Sequence, residues 1–180
     1  MSDGTSVIHE DHFRMVLGRF PTGVVVVTAL DPAGEPLGMT VGSFTSVSLD
    51  PPLVAFLPGK SSQSWRALRD AGSRYCINVL SADQENVCRS IATRKADKFV
   101  DIPWTLSPGG HPIVSGATAY IDCIREAVYD AGDHQIVIGR VEALDSIGSQ
   151  DPLVFLRGRY GSFSPGRPRS AGRLDEMATP

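Results

Sequence analysis

The sequence predicts a mostly β protein with a few helices, folded as a barrel or a sandwich. Three observations carry that prediction. Short apolar runs rich in β-branched residues recur along the chain, bounded by clusters of Gly, Pro, Asp and Ser. One of them, residues 24–30, is apolar on both faces, the pattern of a strand covered on its outside by a helix or by a second subunit. Residues 117–144 read as two long strands folded back on each other around Asp130-Ala131-Gly132-Asp133. A chain of 180 residues is most simply one domain, and it is long enough to bury a core.

The elements follow in order. Residues 1–10 are polar and acidic and are expected to be flexible, with the single domain spanning residues 11–163. Asp11 is placed to cap a first helix, in which Phe13, Val16, Leu17 and Phe20 form one apolar stripe before Pro21 ends it. Residues 31–36 have turn chemistry. In residues 38–52, Met39, Val41 and Ser43 alternate with Thr40, Gly42 and Phe44 as in a strand. A run of hydroxyl side chains follows, and Pro51-Pro52 closes it.

Residues 53–57 form a further buried strand, closed by Pro58-Gly59-Lys60. Ser61 or Ser62 caps the next helix, with Trp65 and Leu68 on one face and Gly72 as its stop. Residues 74–80 are a strand, and Ser81 with Gln84 is a capping box that opens a helix to about Ala92. Residues 93–99 are a charged loop with one aromatic. Residues 102–112, with three prolines and two glycines, read as loop. After the long hairpin, Asp151-Pro152 starts a last strand over residues 153–156, followed by Arg157-Gly158-Arg159-Tyr160. Residues 164–180 hold only Leu174 and Met177 as apolar residues among Pro, Gly, Ser, Ala and charge, and are expected to be a disordered, dispensable tail.

Composition narrows the function classes. A net charge of -3 gives no electrostatic case for nucleic acid. No signal peptide and no apolar run of the ~20 residues that span a bilayer are visible, so a cytoplasmic protein is expected. Three widely spaced cysteines, an odd number, argue against a disulfide framework, and Cys76 and Cys123 read as small core residues. Among His9, His12, His111 and His134 no pair has metal-ligand spacing with a cysteine, so no zinc site is expected. The chain has no nucleophile elbow, P-loop or glycine-rich dinucleotide fingerprint, which argues against hydrolases, NTPases and Rossmann dehydrogenases.

Three places carry candidate chemistry. The small, donor-rich residues 38–52 suit a flat anionic ligand with polar edges, such as a flavin, although taken alone they are first of all the residues of an edge strand and its turn. A helix N-terminus flanked by Lys60, Ser61, Ser62 and Ser64 is a natural phosphate site, although capping alone needs only one serine. His134 opens a strand after a Gly-Asp turn, a place from which a ring reaches into a pocket or simply lies on the surface.

Residues 38–52 resemble the flavin-binding loop of the short-chain flavin reductases, the small reductase components of two-component flavin monooxygenases. Three further segments resemble the same family in the same order: FRMVLGRFPTGVVVVTA at residues 13–29, AGDHQI at 131–136 and PLVFLRGRYGSF at 152–163. The resemblance implies a split β-barrel, the FMN-binding, Greek-key-type antiparallel fold, that forms a homodimer with flavin near the subunit interface. It implies cofactor contacts from Val41, Gly42, Ser43, Phe44, Thr45 and Ser48, with Ser43, Phe44 and Thr45 on the isoalloxazine edge and ribityl chain. It also implies phosphate contacts from Ser62, Gln63 and Ser64, and a loop over the flavin carrying Lys98 and Phe99. His134 takes the catalytic position, orienting the nicotinamide, with Gly132 and Asp133 shaping its turn. Tyr160 is implied to stack near the flavin or the nicotinamide. The chain departs from the family where many members have Ala-Asn and this one has Val41-Gly42, which removes one possible flavin contact.

The activity so implied is that of an NAD(P)H:flavin oxidoreductase. It would reduce FMN or FAD by hydride transfer from NADH or NADPH and supply the reduced flavin to a partner monooxygenase. Such chemistry asks little of side chains beyond stacking two rings within about 3–3.5 Å. The alternatives are a tight flavin-binding electron carrier or flavoenzyme of the same fold without free-flavin turnover, and a ligand-free interaction module.

Overall fold

A computed structural model describes residues 8–93 and 97–164. The expected tail, beyond its first residue, and residues 1–7 of the expected flexible start lie outside them. In chain order the first elements are α1 (Glu10–Leu17), β1 (Thr22–Gly23), β2 (Val25–Leu30), β3 (Pro36–Val41), β4 (Thr45–Leu49) and β5 (Pro52–Phe56). Then come α2 (Gln63–Ala71), β6 (Arg74–Val79), α3 (Glu85–Ile91), β7 (Trp104–Leu106) and β8 (Pro112–Val114). The chain ends in β9 (Ala119–Ala131), β10 (His134–Ser146), β11 (Leu153–Leu156) and β12 (Arg159–Ser162).

Seven strands form one antiparallel sheet in the order β3-β2-β6-β9-β10-β5-β4, and smaller sheets hold β1-β11-β12 and β7-β8. Met39 and Val41 on edge strand β3 meet Val54 and Phe56 on β5, at the opposite side of the sheet, in one buried cluster. Strands so far apart in the ladder share a core only if the sheet curls round on itself. The curl is not closed by a strand ladder. The chain instead crosses from edge to edge through residues 42–44, and the Ser43 hydroxyl donates to the Leu57 carbonyl at 3.2 Å and accepts from the Leu57 N–H at 3.1 Å. This is a split barrel, as the resemblance implied. Trp65 and Leu68 of α2 fill it, with Phe56 edge-on to Trp65 (ring centroids 5.7 Å apart) and to Tyr75 (5.5 Å).

β2 is buried on both faces because two cores flank it. Val25, Val27 and Ala29 face the barrel interior. Val24 and Val26 face a second cluster with Leu80, Cys88, Ile91, Phe99, Ile102, Val114 and Leu153. The cover on its outer side is therefore α3 and neighbouring segments of this same chain. Cys76 and Cys123 are buried, as is Cys88.

Four expectations change. α1 begins after His9, whose side chain caps nothing, and Asp11 lies within its first turn. Its stripe is unburied: Phe13, Val16, Leu17 and Phe20 are 45–74% exposed. Residues 102–112, expected as loop, contain β7 and lead into β8. That hairpin forms because its polar groups are met from the sheet: the Val114 N–H donates to Asn78 Oδ1 at 2.8 Å, and the Pro112 carbonyl accepts from Thr28 Oγ1 at 2.6 Å. The Ser81–Gln84 capping box is half formed. Gln84 Oε1 accepts from the Ser81 N–H at 3.0 Å, but the Ser81 hydroxyl turns to Asp83 and the helix starts at Glu85. Finally, the chain past residue 156 turns back as β12, pairing with β11 around Arg157 and Gly158, both at positive φ.

Candidate active site

The N-terminus of α2 builds the first half of the site. Ser62 is its cap and accepts from the Trp65 N–H at 3.2 Å. Gln63 and Ser64 carry the first two amide N–H groups of the helix, which have no carbonyl one turn back within it. No acidic residue stands in the first turn. Burial of Trp65 and Leu68 pins the helix, so these donors have a fixed direction.

Those donors open on a cavity of about 640 Å³ lined by Pro36, Leu37 and Gly38 of β3, residues 61–64, Ala67, Ala92, Thr93 and Lys98. The Lys98 ammonium donates to Ser64 Oγ at 2.6 Å and to the Gly38 carbonyl at 3.2 Å. Partial burial lowers its pKa from the ordinary lysine value. Gly38 is required by packing: a Cβ there would stand 2.8 Å from the Phe99 ring. Two first-turn amides, a serine hydroxyl and one ammonium thus meet at a space of ligand size whose lining, among the described residues, holds no carboxylate. That donor set fits a phosphate.

The tip of the β9–β10 hairpin builds the second half. His134 Nδ1 lies 2.8 Å from Asp133 Oδ1. The same histidine holds the Asp133 carboxyl below the usual carboxylate range. An ionised carboxylate only accepts, so Nδ1 carries the proton, and in the neutral ring Nε2 offers a lone pair. Nε2 faces Gly59, where a Cβ would be 3.8 Å away. Gly59 pairs with His134 as an isolated bridge, and the Lys60 N–H donates to the Asp133 carbonyl at 2.9 Å.

The remaining expected residues distribute as follows. Ser62, Gln63, Ser64 and Lys98 line one cavity; His134 and Asp133 do not line it but dock on the loop that leads to it. Lys60 takes no part in the cavity lining and pairs instead with Asp130 at 3.3 Å. Ser43 is exposed, its hydroxyl engaged by Leu57 on both sides. Val41 points into the core, and Phe44 packs partly against it. A Cβ at Gly42 would stand 3.1 Å from Thr22 Oγ1, a tight approach to the end of a side chain. Thr45 and Ser48 lie on edge strand β4, outside the cavity lining.

Phe99 is only 8% exposed and belongs to the second core, under Gly38, rather than to the cavity. Tyr160 stands elsewhere. Its hydroxyl pairs with the Cys88 thiol at 3.2 Å, the Arg89 guanidinium lies 4.9 Å from its ring centre, and burial with that thiol pushes its pKa up to about 12. It lines a separate cavity of about 570 Å³ with Arg157 and Arg159. Sequence reasoning missed Gly38 as a wall of the cavity, and Gln135, whose side chain joins the two halves. Gly38 stood within the segment singled out, but nothing local signals its contact with Phe99. Gln135 stood beside His134 without a spacing rule to mark it.

Comparison with known proteins places the chain among relatives. A family model described as flavin reductase like domain matches residues 17–164. A flavin reductase of Pseudomonas putida is 52% identical over 159 residues, covering 88% of this chain and 93% of that protein. HsaB of Rhodococcus jostii, the reductase subunit of a flavin-dependent monooxygenase, is 44% identical over 165 residues, covering 92% of this chain and 84% of its own. The solved structure of the Streptomyces globisporus NADH:FAD oxidoreductase SgcE6, in complex with NAD and FAD fragments, matches with a TM-score of 0.81 and 36% identity, over 91% of this chain and 99% of that one.

Proposed function

The chain belongs to the flavin reductase-like family, and from that premise we propose that it is an NAD(P)H:flavin oxidoreductase that hands reduced FMN or FAD to a partner monooxygenase. The observation that carries this reading is the donor set of the α2 cavity, which suits the phosphate of a flavin nucleotide. When both cofactors are bound, they supply the chemistry, a hydride passing from nicotinamide to flavin.

The residues of this chain bind and orient. The Gln63 and Ser64 amides, with Lys98, hold the phosphate. Backbone groups of residues 41–45 border the ring, since the Ser43 hydroxyl is already engaged. Neutral His134 accepts from the nicotinamide carboxamide through Nε2, and Asp133 fixes the ring for that purpose. It removes no proton, because hydride transfer requires none removed. Phe99 supports Gly38 from behind, and Tyr160 serves the α3 side.

The exposed apolar stripe of α1 and the exposed Leu49 on edge strand β4 favour a homodimer; light scattering of the purified protein checks its mass. Among the described residues no helix is long and apolar enough to cross a membrane. A cytoplasmic location accords with a reduced nicotinamide as co-substrate. Residues 11–163 suffice for the activity.

The test is an assay with free flavin in catalytic amounts, oxygen and either nicotinamide. Continuous oxidation of the nicotinamide is expected. A protein that keeps a yellow cofactor through gel filtration and is not stimulated by added flavin would instead be a carrier.

A further inference from the structure

We propose that Gln135 is a positioning residue that sets where His134 stands relative to the N-terminus of α2. The inference rests on the reductase reading above. β10 pairs with β5 only from Val137 to Arg140, so residues 129–136 project beyond that neighbour. The tip is held in place by residues 58–60 and by one side chain. Gln135 Oε1 accepts from the Trp65 indole N–H at 2.8 Å. Gln135 Nε2 donates to Asp130 Oδ1 at 3.1 Å, and the other oxygen of Asp130 lies 3.3 Å from Lys60 Nζ. The Gln135 N–H donates to the Pro58 carbonyl at 2.9 Å.

Trp65 is 1% exposed and cannot shift without disturbing the core. Its own backbone N–H bonds Ser62, the cap of the proposed phosphate site. One residue therefore ties Gln135 to that site, and one peptide bond ties Gln135 to His134. The bonds from Gln135 and Lys60 also hold the Asp130 carboxyl below its ordinary range, so it remains an acceptor for both. Only an uncharged amide of this length accepts from the indole and donates to the carboxylate at once. Glutamate keeps the acceptor and loses the donor; methionine keeps the length and loses both.

The experiment uses the full-length protein with NADH and free flavin. Gln135→Met is expected to raise the KM for NADH about threefold, less than removal of His134 itself, while flavin affinity stays within about twofold. Gln135→Glu, which keeps the indole's acceptor but sets a second carboxylate against Asp130, is expected to raise it at least as much as Gln135→Met. Because Gln135 acts through His134, the Gln135→Met/His134→Ala double variant is expected to be no worse than His134→Ala alone. Hydrogen exchange reads the docking without turnover. In Gln135→Met the Lys60 and Gln135 amides are expected to exchange about tenfold faster while those of β2 are unchanged. Unchanged exchange in both variants, an unchanged KM for NADH despite faster exchange, or additive losses in the double variant would overturn the proposal. If His134→Ala leaves NADH kinetics unaltered, it is the reading of His134 that fails, and the exchange rates alone then decide whether Gln135 docks the tip.

Discussion

The cradle at α2 and the tip of the β9–β10 hairpin are held by different forces. The cradle is set by packing: Trp65 and Leu68 are essentially fully buried, and Gly38 sits so tightly on Phe99 that a methyl group would not fit. The tip is set by polar bonds near water, with Tyr129 60% exposed and the His134 side chain about half exposed. Packing fixes a position steeply, whereas bonds between exposed groups are individually weak and yield under small loads. The contrast suits a site with two ligands of unequal demands. A nucleotide phosphate gains from a preorganised set of donors, while a co-substrate that must arrive and leave gains from a wall that gives.

The largest effect expected from breaking this contrast is on stability. Trp65→Ala removes a buried indole from the cradle and should cost about 3–5 kcal/mol in urea unfolding. Asp133→Ala, at the exposed tip, should leave the urea midpoint almost unchanged. Next is Lys98→Ala. It should weaken FMN binding about tenfold by fluorescence quenching, leave riboflavin binding unchanged because riboflavin has no phosphate, and alter the KM for NADH by less than about twofold. His134→Ala should do the reverse, raising the KM for NADH about fivefold or more with flavin affinity nearly intact. The smallest effect is that of pH. The folded-state pKa of Lys98 is depressed by burial, so between that value and the ordinary lysine value the unfolded chain binds more protons. Stability should therefore rise slightly with pH through that window while FMN affinity falls as the ammonium is lost. Lys98→Met should abolish both trends.

The two halves were also unequally legible in the sequence. The Ser62 cap, the buried face of Trp65 and Leu68, and the stop at Gly72 are local features, written within one helical turn or two. They were read from spacing alone. The long hairpin was equally plain, because its pattern persists over 13 residues in each strand. The hairpin of β7 and β8 was not, because its prolines and glycines signal a loop and its partners, Thr28 and Asn78, lie 84 and 36 residues away at their bonds to Pro112 and Val114. The two lysines, Lys60 named by its place beside the serines and Lys98 by the resemblance, part for the same reason. Lys60 adjoins the serines in sequence, yet it is Lys98, brought in by the 97–99 loop, that enters the cavity, while Lys60 is drawn to Asp130. The resemblance puts Phe99 on the loop over the flavin and Tyr160 near the rings, whereas Phe99 lies in the second core and Tyr160 packs against it, a cluster that no local pattern defines.

The seam at Ser43 has a consequence for how position 43 is interpreted among relatives. Its hydroxyl stands in for a missing strand partner, giving Leu57 both a donor and an acceptor from a single atom. A hydroxyl at this position therefore has an architectural use that is independent of any ligand. Invariance at that position would then record architecture, and only a substitution that spares the seam while changing ligand affinity could attribute it to recognition.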